Sequence, residues 1–204
     1  ERNNPMNISV LASHAGTTLQ AVLDACANGG LRARVSLVIS NNPASGALQR
    51  AQAAGVPRVC LSGKTHPDPS ALDQALCDAL CDAQAELVLL AGYMKKLGPI
   101  TLQTFSGRII NTHPALLPKF GGPGMYGLHV HRAVLEAGEP VSGATVHLVT
   151  ADYDAGRVLA QRQVSVLAED TPETLAERVQ TSERRLVVES LRHIADGDWR
   201  LPMP

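Results

Sequence analysis

The sequence predicts an α/β fold: an open, twisted, mostly parallel sheet with helices on both faces and an antiparallel carboxyl-terminal part. Three observations carry this. Strand-like and helix-like stretches alternate through the first half, the order that builds a parallel sheet with right-handed crossovers. Residues 87–91 are apolar at every position, as in a strand buried on both faces. Residues 144–149 and 158–166 alternate in polarity, as the two strands of a hairpin do.

In chain order, residues 8–12 form a short apolar run after a polar start and read as a strand. Residues 17–27 carry Leu19, Val22, Leu23 and Cys26 at a helical period. A strand follows at 35–39, a turn at Asn41-Asn42-Pro43, a small helix at 47–54 ended by Gly55, and a short strand at 59–61. Residues 70–83 are helical by period, and Gly92 and Pro99 punctuate the chain after the apolar strand. Residues 108–111 are a strand ending in polar residues, 114–127 a long loop rich in Gly and Pro, and 131–137 a helix closed by Gly138. After the hairpin, Thr171 can cap a last helix with Pro172 at its first position, running to about Ile194, with Gly197 ending it. With no repeat, low-complexity tract or linker, residues 6–204 are expected to be a single domain. Met6 has the look of a natural start, so residues 1–5 are expected to be an upstream extension or a scar of cloning.

Composition narrows the function classes. The 204 residues are 45% hydrophobic, enough for a full core, and carry a formal net charge of −1. That charge and the 3% aromatic content predict no nucleic-acid partner, since phosphate binding needs a basic excess and base stacking needs rings. No apolar run is long enough to span a bilayer and the start lacks the apolar stretch of a signal peptide, so no membrane partner and a cytoplasmic location are expected. In that compartment Cys26, Cys60, Cys77 and Cys81 are expected to be reduced. Cys77 and Cys81 lie one helical turn apart among Leu72, Leu76 and Leu80, where free Cys packs as a small hydrophobe. His129 and His131 lack a clustered acidic or thiol partner, so no metal is expected.

Ligands of open α/β sheets bind beyond the carboxyl ends of the strands, which selects residues 13–18, 92–97, 111–113 and 152–156. Ser13-His14-Ala15-Gly16-Thr17-Thr18 joins the first strand to the first helix. Small residues and free N–H groups there suit a phosphate; an ordinary capped helix start would look the same. Asn111 and His113 are two apart and project to one side of a strand. An amide and an imidazole can converge there on one carbonyl oxygen, and the lack of an adjacent Ser or Cys favours direct attack by a substrate. A polar strand end bonded to its own loop is the plainer alternative. Asp152, Asp154 and Gly156 sit in a turn, where Asp is common for structural reasons; a carboxylate near His113 would favour its protonated ring.

The stretch Asn111-Thr112-His113-Pro114-Ala115-Leu116-Leu117-Pro118 resembles the signature of the formyltetrahydrofolate-using transferase superfamily. Leu19-Gln20-Ala21, Leu90-Ala91-Gly92-Tyr93-Met94, Gly127-Leu128-His129, Val146-His147 and Arg178-Val179-Gln180-Thr181-Ser182-Glu183 extend the resemblance, from Met6 to about Leu201, to its glycinamide ribonucleotide formyltransferase family. The resemblance implies the Rossmann-like formyltransferase fold, formyl transfer to glycinamide ribonucleotide in purine synthesis, small-molecule substrates, and 10-formyltetrahydrofolate as co-substrate without a metal. It implies a catalytic trio of Asn111, His113 and Asp154. Gly16, Thr17 and Thr18 would hold the nucleotide phosphate, with Glu183 on the ribose hydroxyls and Gln180 nearby. Met94, Lys95, Lys96 and Leu97 would line the folate site, with Ala151, Asp152 and Tyr153 as its other wall. His129 and His147 match positions near the reacting centre. The assembly is expected to be a monomer or homodimer.

Four departures from the family pattern stand out: His14-Ala15 at the start of the phosphate loop, Lys95 in place of a common arginine, Ala155 in place of a glycine, and a longer loop at residues 121–126. The loop is expected to cover the nucleotide side. In the implied reaction Asn111 and protonated His113 bind the oxyanion while Asp154 keeps the ring charged. Three rival functions are a formyltetrahydrofolate hydrolase, a methionyl-tRNA formyltransferase and a silent nucleotide-binding module. The extra domains of the first two are expected to be absent, and the third would not need all three catalytic side chains.

Overall fold

The computed structural model describes residues 3–152 and 154–204. It divides into two compact units, one running to Ile110 and resuming over Leu191–Pro204, the other spanning Asn111–Ser190. In the first unit, β1 (Met6–Leu11), β2 (Ala33–Ser40), β3 (Arg58–Cys60) and β4 (Leu87–Leu90) alternate with α1 (Thr17–Ala27), α2 (Gly46–Ala53), α3 (Pro69–Asp82) and α4 (Pro99–Thr104). β1 pairs in parallel with β2 and with β4, and β2 in parallel with β3. β4 is buried at all four positions, the result of burial on both faces. α1 turns Leu19, Val22 and Ala25 inward, and each fully buried leucine contributes roughly 1.5–3 kcal/mol.

β5 (Ile109–His113) begins in the first unit and ends in the second. The second unit continues with α5 (Leu128–Glu136), the antiparallel pair β6 (Val141–Leu148) and β7 (Val158–Ser165), and the greater part of α6 (Pro172–Ala195). Val134 of α5 packs with Leu175 and Val179 of α6, and Phe120 and Val164 close over them. Among the described residues the strand order is β3-β2-β1-β4-β5-β6-β7. The mixed sheet, largely parallel with an antiparallel carboxyl-terminal part, is the predicted one.

Two elements differ from the sequence reading. α4 was hidden because Gly92 and Pro99 read as punctuation. Here Pro99 is its first residue, and the buried Asp73 of α3 accepts from Ile100 N at 2.8 Å and Thr101 N at 3.0 Å. The cap comes from a distant helix, which local sequence cannot display. α5 begins at Leu128 rather than at residue 131, so His129 and His131 both lie in its first turns.

Candidate active site

In the first unit the turn after β1 is fixed from both sides. The His14 carbonyl accepts from Ala47 N at 3.0 Å, and the Ala15 carbonyl from Arg50 Nε at 2.8 Å. Gly16 has φ 76°, and a Cβ there would lie 2.7 Å from Ala47 Cα, so only glycine fits. α1 then starts at Thr17 with no side-chain cap, exposed Thr17 and buried Thr18 leading it. The departure at His14-Ala15 leaves this turn intact, because α2 and Arg50 take up its carbonyls. Ser13 Oγ donates to Asn41 Oδ1 at 2.6 Å and accepts from Met94 N at 2.9 Å, tying this turn to the loop after β4. In that loop Met94, Lys95 and Lys96 are exposed and Leu97 is buried.

The second unit holds the titratable cluster. Asn111 and His113 come from β5 and His147 from β6, while Asp154 sits in the β6–β7 turn with φ 51°, a left-handed conformation that Asp tolerates. Leu148 N donates to Arg157 O at 2.9 Å to close that turn. Gly156 lies against the Leu148 carbonyl, leaving no room for a Cβ. His113 Nδ1 lies 3.7 Å from Asp154 Oδ2, and His147 Nε2 lies 3.4 Å from Asp154 Oδ1. The side chains of His113, His147 and Asp154 are only 6%, 3% and 11% exposed, so their charges interact through little water.

Proton positions follow from the neighbours. His113 Nε2 is 2.7 Å from the Phe120 carbonyl, a pure acceptor, so Nε2 carries a proton. His147 Nδ1 is 2.9 Å from the Leu148 carbonyl and carries one for the same reason. His147 Nε2 also lies 3.3 Å from Asn111 Nδ2. Bare, that nitrogen accepts the Asn111 N–H; protonated, it donates to Asp154.

Burial lowers the His113 pKa, and that effect outweighs the Asp154 charge and the Phe120 carbonyl, which both raise it, while His147 lowers it further. The carboxylate expected beside His113 is present 3.7 Å away and favours the protonated ring, while burial works against it. For Asp154, burial alone pushes the carboxyl up; His147, His113 and Gly122 N–H together hold it below its ordinary value.

The remaining predicted residues fall into groups. His129 is exposed and stands edge-on to Tyr126, with ring centroids 5.5 Å apart, while His131 is the buried histidine of α5. Burial and the neighbouring His113 lower the His131 pKa, and its Nδ1 has no hydrogen-bond partner among the described residues. His131 was weighed in the sequence only as a metal ligand; its place on the buried face with Val130 and Val134 was the overlooked signal. Gln180 and Glu183 lie three apart on α6, a spacing that shares a helix face. Burial pushes the Glu183 carboxyl up to about 7, with the Thr112 hydroxyl and Arg184 pulling the other way. Ala151 and Asp152 are exposed, and Tyr153 lies outside the described residues.

The loop over residues 121–126 begins inside the cluster. Gly122 N donates to Asp154 Oδ2 at 3.0 Å, and a Cβ on Gly121 would lie 2.6 Å from Leu117 Cδ2 and 3.3 Å from Asp154 Cβ. Phe120 had no sequence signal, because it acts through a main-chain carbonyl.

Residues 6–191 match the formyl transferase family. Phosphoribosylglycinamide formyltransferase of Escherichia coli is 37% identical over 196 residues, 96% of this chain and 90% of that protein. The chloroplastic phosphoribosylglycinamide formyltransferase of Arabidopsis thaliana is 40% identical over 95% of this chain and 67% of its own length. The crystal structure of glycinamide ribonucleotide transformylase 1 from Symbiobacterium toebii superposes with a TM-score of 0.89 at 40% identity, covering 96% of this chain and 90% of that one. With the match running from β1 into α6 and enclosing the whole His113 cluster, the chain belongs to the formyl transferase family, beside the phosphoribosylglycinamide formyltransferases, and is a formyl-transferring enzyme.

Proposed function

We propose that this enzyme transfers the formyl group of 10-formyltetrahydrofolate to the amine of glycinamide ribonucleotide, a step of purine synthesis in the cytoplasm. The observation that carries the chemistry is the cluster of Asn111, His113, His147 and Asp154, with the buried His113 imidazole 3.7 Å from a carboxylate. Water or an amine attacking a formyl group builds negative charge on oxygen and sheds a proton, so a site needs a hydrogen-bond donor for the oxygen and a group that takes up the proton. Asn111 supplies the amide N–H, and a donor of this kind is typically worth ~2.7–4 kcal/mol. His113 Nδ1 takes the proton of the attacking nitrogen as the new carbon–nitrogen bond forms. The imidazolium so made is stabilised by Asp154 and by the Phe120 carbonyl. It returns the proton to the folate nitrogen as that carbon–nitrogen bond breaks.

In the same reading, Gly16, Thr17 and Thr18 bind the nucleotide phosphate with N–H groups and hydroxyls at a helix start, and Glu183 with Gln180 binds the ribose. Met94 to Leu97 line the folate site, with Ala151, Asp152 and Tyr153 as its other wall. His129 and His147 stand near the reacting centre. The test is acceptor choice: formyl transfer to glycinamide ribonucleotide, to glycinamide riboside and to water. Remote phosphate and ribose contacts align the amine, so turnover with the riboside falls well below that with the ribonucleotide, and water reacts least. Equal rates for all three contradict the assignment.

A further inference from the structure

Two loops of the first unit meet at one hydroxyl. β2, β1 and β4 lie side by side in that order, and just beyond their ends stand Asn41, Ser13 and Met94. Ala12 N donates to the Ile39 carbonyl at 3.0 Å and Ser13 N to the Gly92 carbonyl at 3.2 Å, so main-chain pairing runs one step past the strands. There a side chain takes over. Met94 N–H donates to Ser13 Oγ at 2.9 Å, and the Ser13 hydroxyl donates to Asn41 Oδ1 at 2.6 Å. Ser13 is 1% exposed, and its hydroxyl uses its proton and a lone pair at once, so the links of this chain strengthen one another. On the other flank, Ala47 N of α2 donates to the His14 carbonyl at 3.0 Å. The turn leading to Gly16 is thus held by α2 and reaches the loop over residues 92–97 through Ser13.

We propose that Ser13 is a positioning residue that couples the two substrate sites: its hydroxyl fixes the Met94 peptide against the turn that leads to Gly16, so that each site, when filled, holds the other in its binding shape. This rests on the reading of residues 16–18 as the phosphate site and residues 94–97 as part of the folate site. Met94, Lys95 and Lys96 are exposed, as are His14, Ala15 and Thr17, and ordering an exposed loop around a ligand costs conformational entropy. A ligand on one loop lowers that cost for the ligand on the other only where the loops are joined, and the benefit is reciprocal. The bond from Met94 N–H to Ser13 Oγ is the joint. Without it the Ser13 N–H still holds the Gly92 carbonyl, so the strand end is kept and the loss falls on the outer part of the loop.

The experiment compares wild type, Ser13→Ala, Asn41→Ala and Ser9→Ala. Ser9 is a buried serine of β1 whose hydroxyl pairs with Ser36 of β2 at 3.1 Å, so Ser9→Ala reports the loss of an ordinary buried hydrogen bond on the same strand. Asn41→Ala keeps the Ser13 hydroxyl but removes the acceptor that orients it, and serves if Ser13→Ala folds poorly. Titration calorimetry gives the dissociation constant of glycinamide ribonucleotide with and without saturating tetrahydrofolate, and the converse; tetrahydrofolate carries no formyl group, so nothing turns over. In wild type and Ser9→Ala each ligand tightens the other about five-fold or more, the lower end of ordinary coupling between sites. In Ser13→Ala that factor falls toward one in both directions, and tetrahydrofolate alone binds about five-fold more weakly, the weight of one hydrogen bond. Asn41→Ala lies between. With both substrates saturating, kcat changes less than either binding constant. A wild type without coupling, a factor that survives in a folded Ser13→Ala or Asn41→Ala enzyme, or one lost equally in Ser9→Ala overturns the proposal. A wild type that binds neither ligand overturns the reading of the two sites itself, whatever the variants do.

Discussion

The loops of the first unit and the cluster of the second solve different problems with different materials. Around Gly16 and Met94 the polar contacts are made by main-chain groups, Ser13, Asn41 and Arg50, and much of the surface is open. Around His113 they are made by buried imidazoles and a carboxylate whose proton affinities are pushed apart by burial and by each other. Binding surfaces built from backbone are set by the fold and are hard to reach by single substitutions. A buried titratable cluster is the reverse: one atom changes its chemistry, and pH changes it again.

The largest effect is therefore expected at His113. His113→Ala lowers kcat at least ~10²-fold, the lower bound for a positioned acid–base group, while the dissociation constants of both substrates, measured by titration calorimetry, stay close to wild type. Asp154→Asn keeps the shape and removes a charge. Because that charge raises the His113 pKa, its loss lowers it, so the acidic limb of the kcat profile moves to lower pH while the plateau falls. A profile that keeps its position would make Asp154 a turn residue only.

Glu183 sharpens the contrast from the binding side. Its carboxyl, pushed up to about 7 by burial, is protonated below that pH and charged above it. The anion is the better acceptor for a ribose diol, so the Michaelis constant for the nucleotide falls as pH rises from 6 to 8, while that for folate does not follow it. Glu183→Gln removes the pH dependence and raises the nucleotide constant about ten-fold. The smallest effect on chemistry is expected from Asp73→Ala. It uncaps α4, at a cost of roughly 2 kcal/mol in stability by denaturant melting, and leaves kcat nearly unchanged.

Much of this was legible in the sequence, for reasons that differ by residue. The strands announced themselves by burial, as at residues 87–91, and Asn111 and His113 by their spacing at a polar strand end. His147 was legible only through family resemblance, and Asp154 on local grounds only as a turn carboxylate, because nothing local says that residues 34 and 41 positions after His113 return to it. Phe120, Asp73 and Ser13 act through contacts between elements, made by a carbonyl, a cap and a hydroxyl that any sequence window shows as ordinary residues. A carboxylate beside His113 can be inferred from a motif, whereas the depth of burial that opposes the charge on the ring is a property of the folded unit.

The claim that a neutral, buried His113 accepts the amine proton is tested most directly by titrating that one ring. Nitrogen-15 spectra of histidine-labelled enzyme, assigned with His113→Ala, give its pKa, and kcat/KM for glycinamide ribonucleotide is followed over the same range. A His113 pKa below the ordinary 6.5, coinciding with the acidic limb of kcat/KM, is the predicted result. A ring still protonated above pH 7 at full activity would contradict it and return His113 to the role of a charged donor.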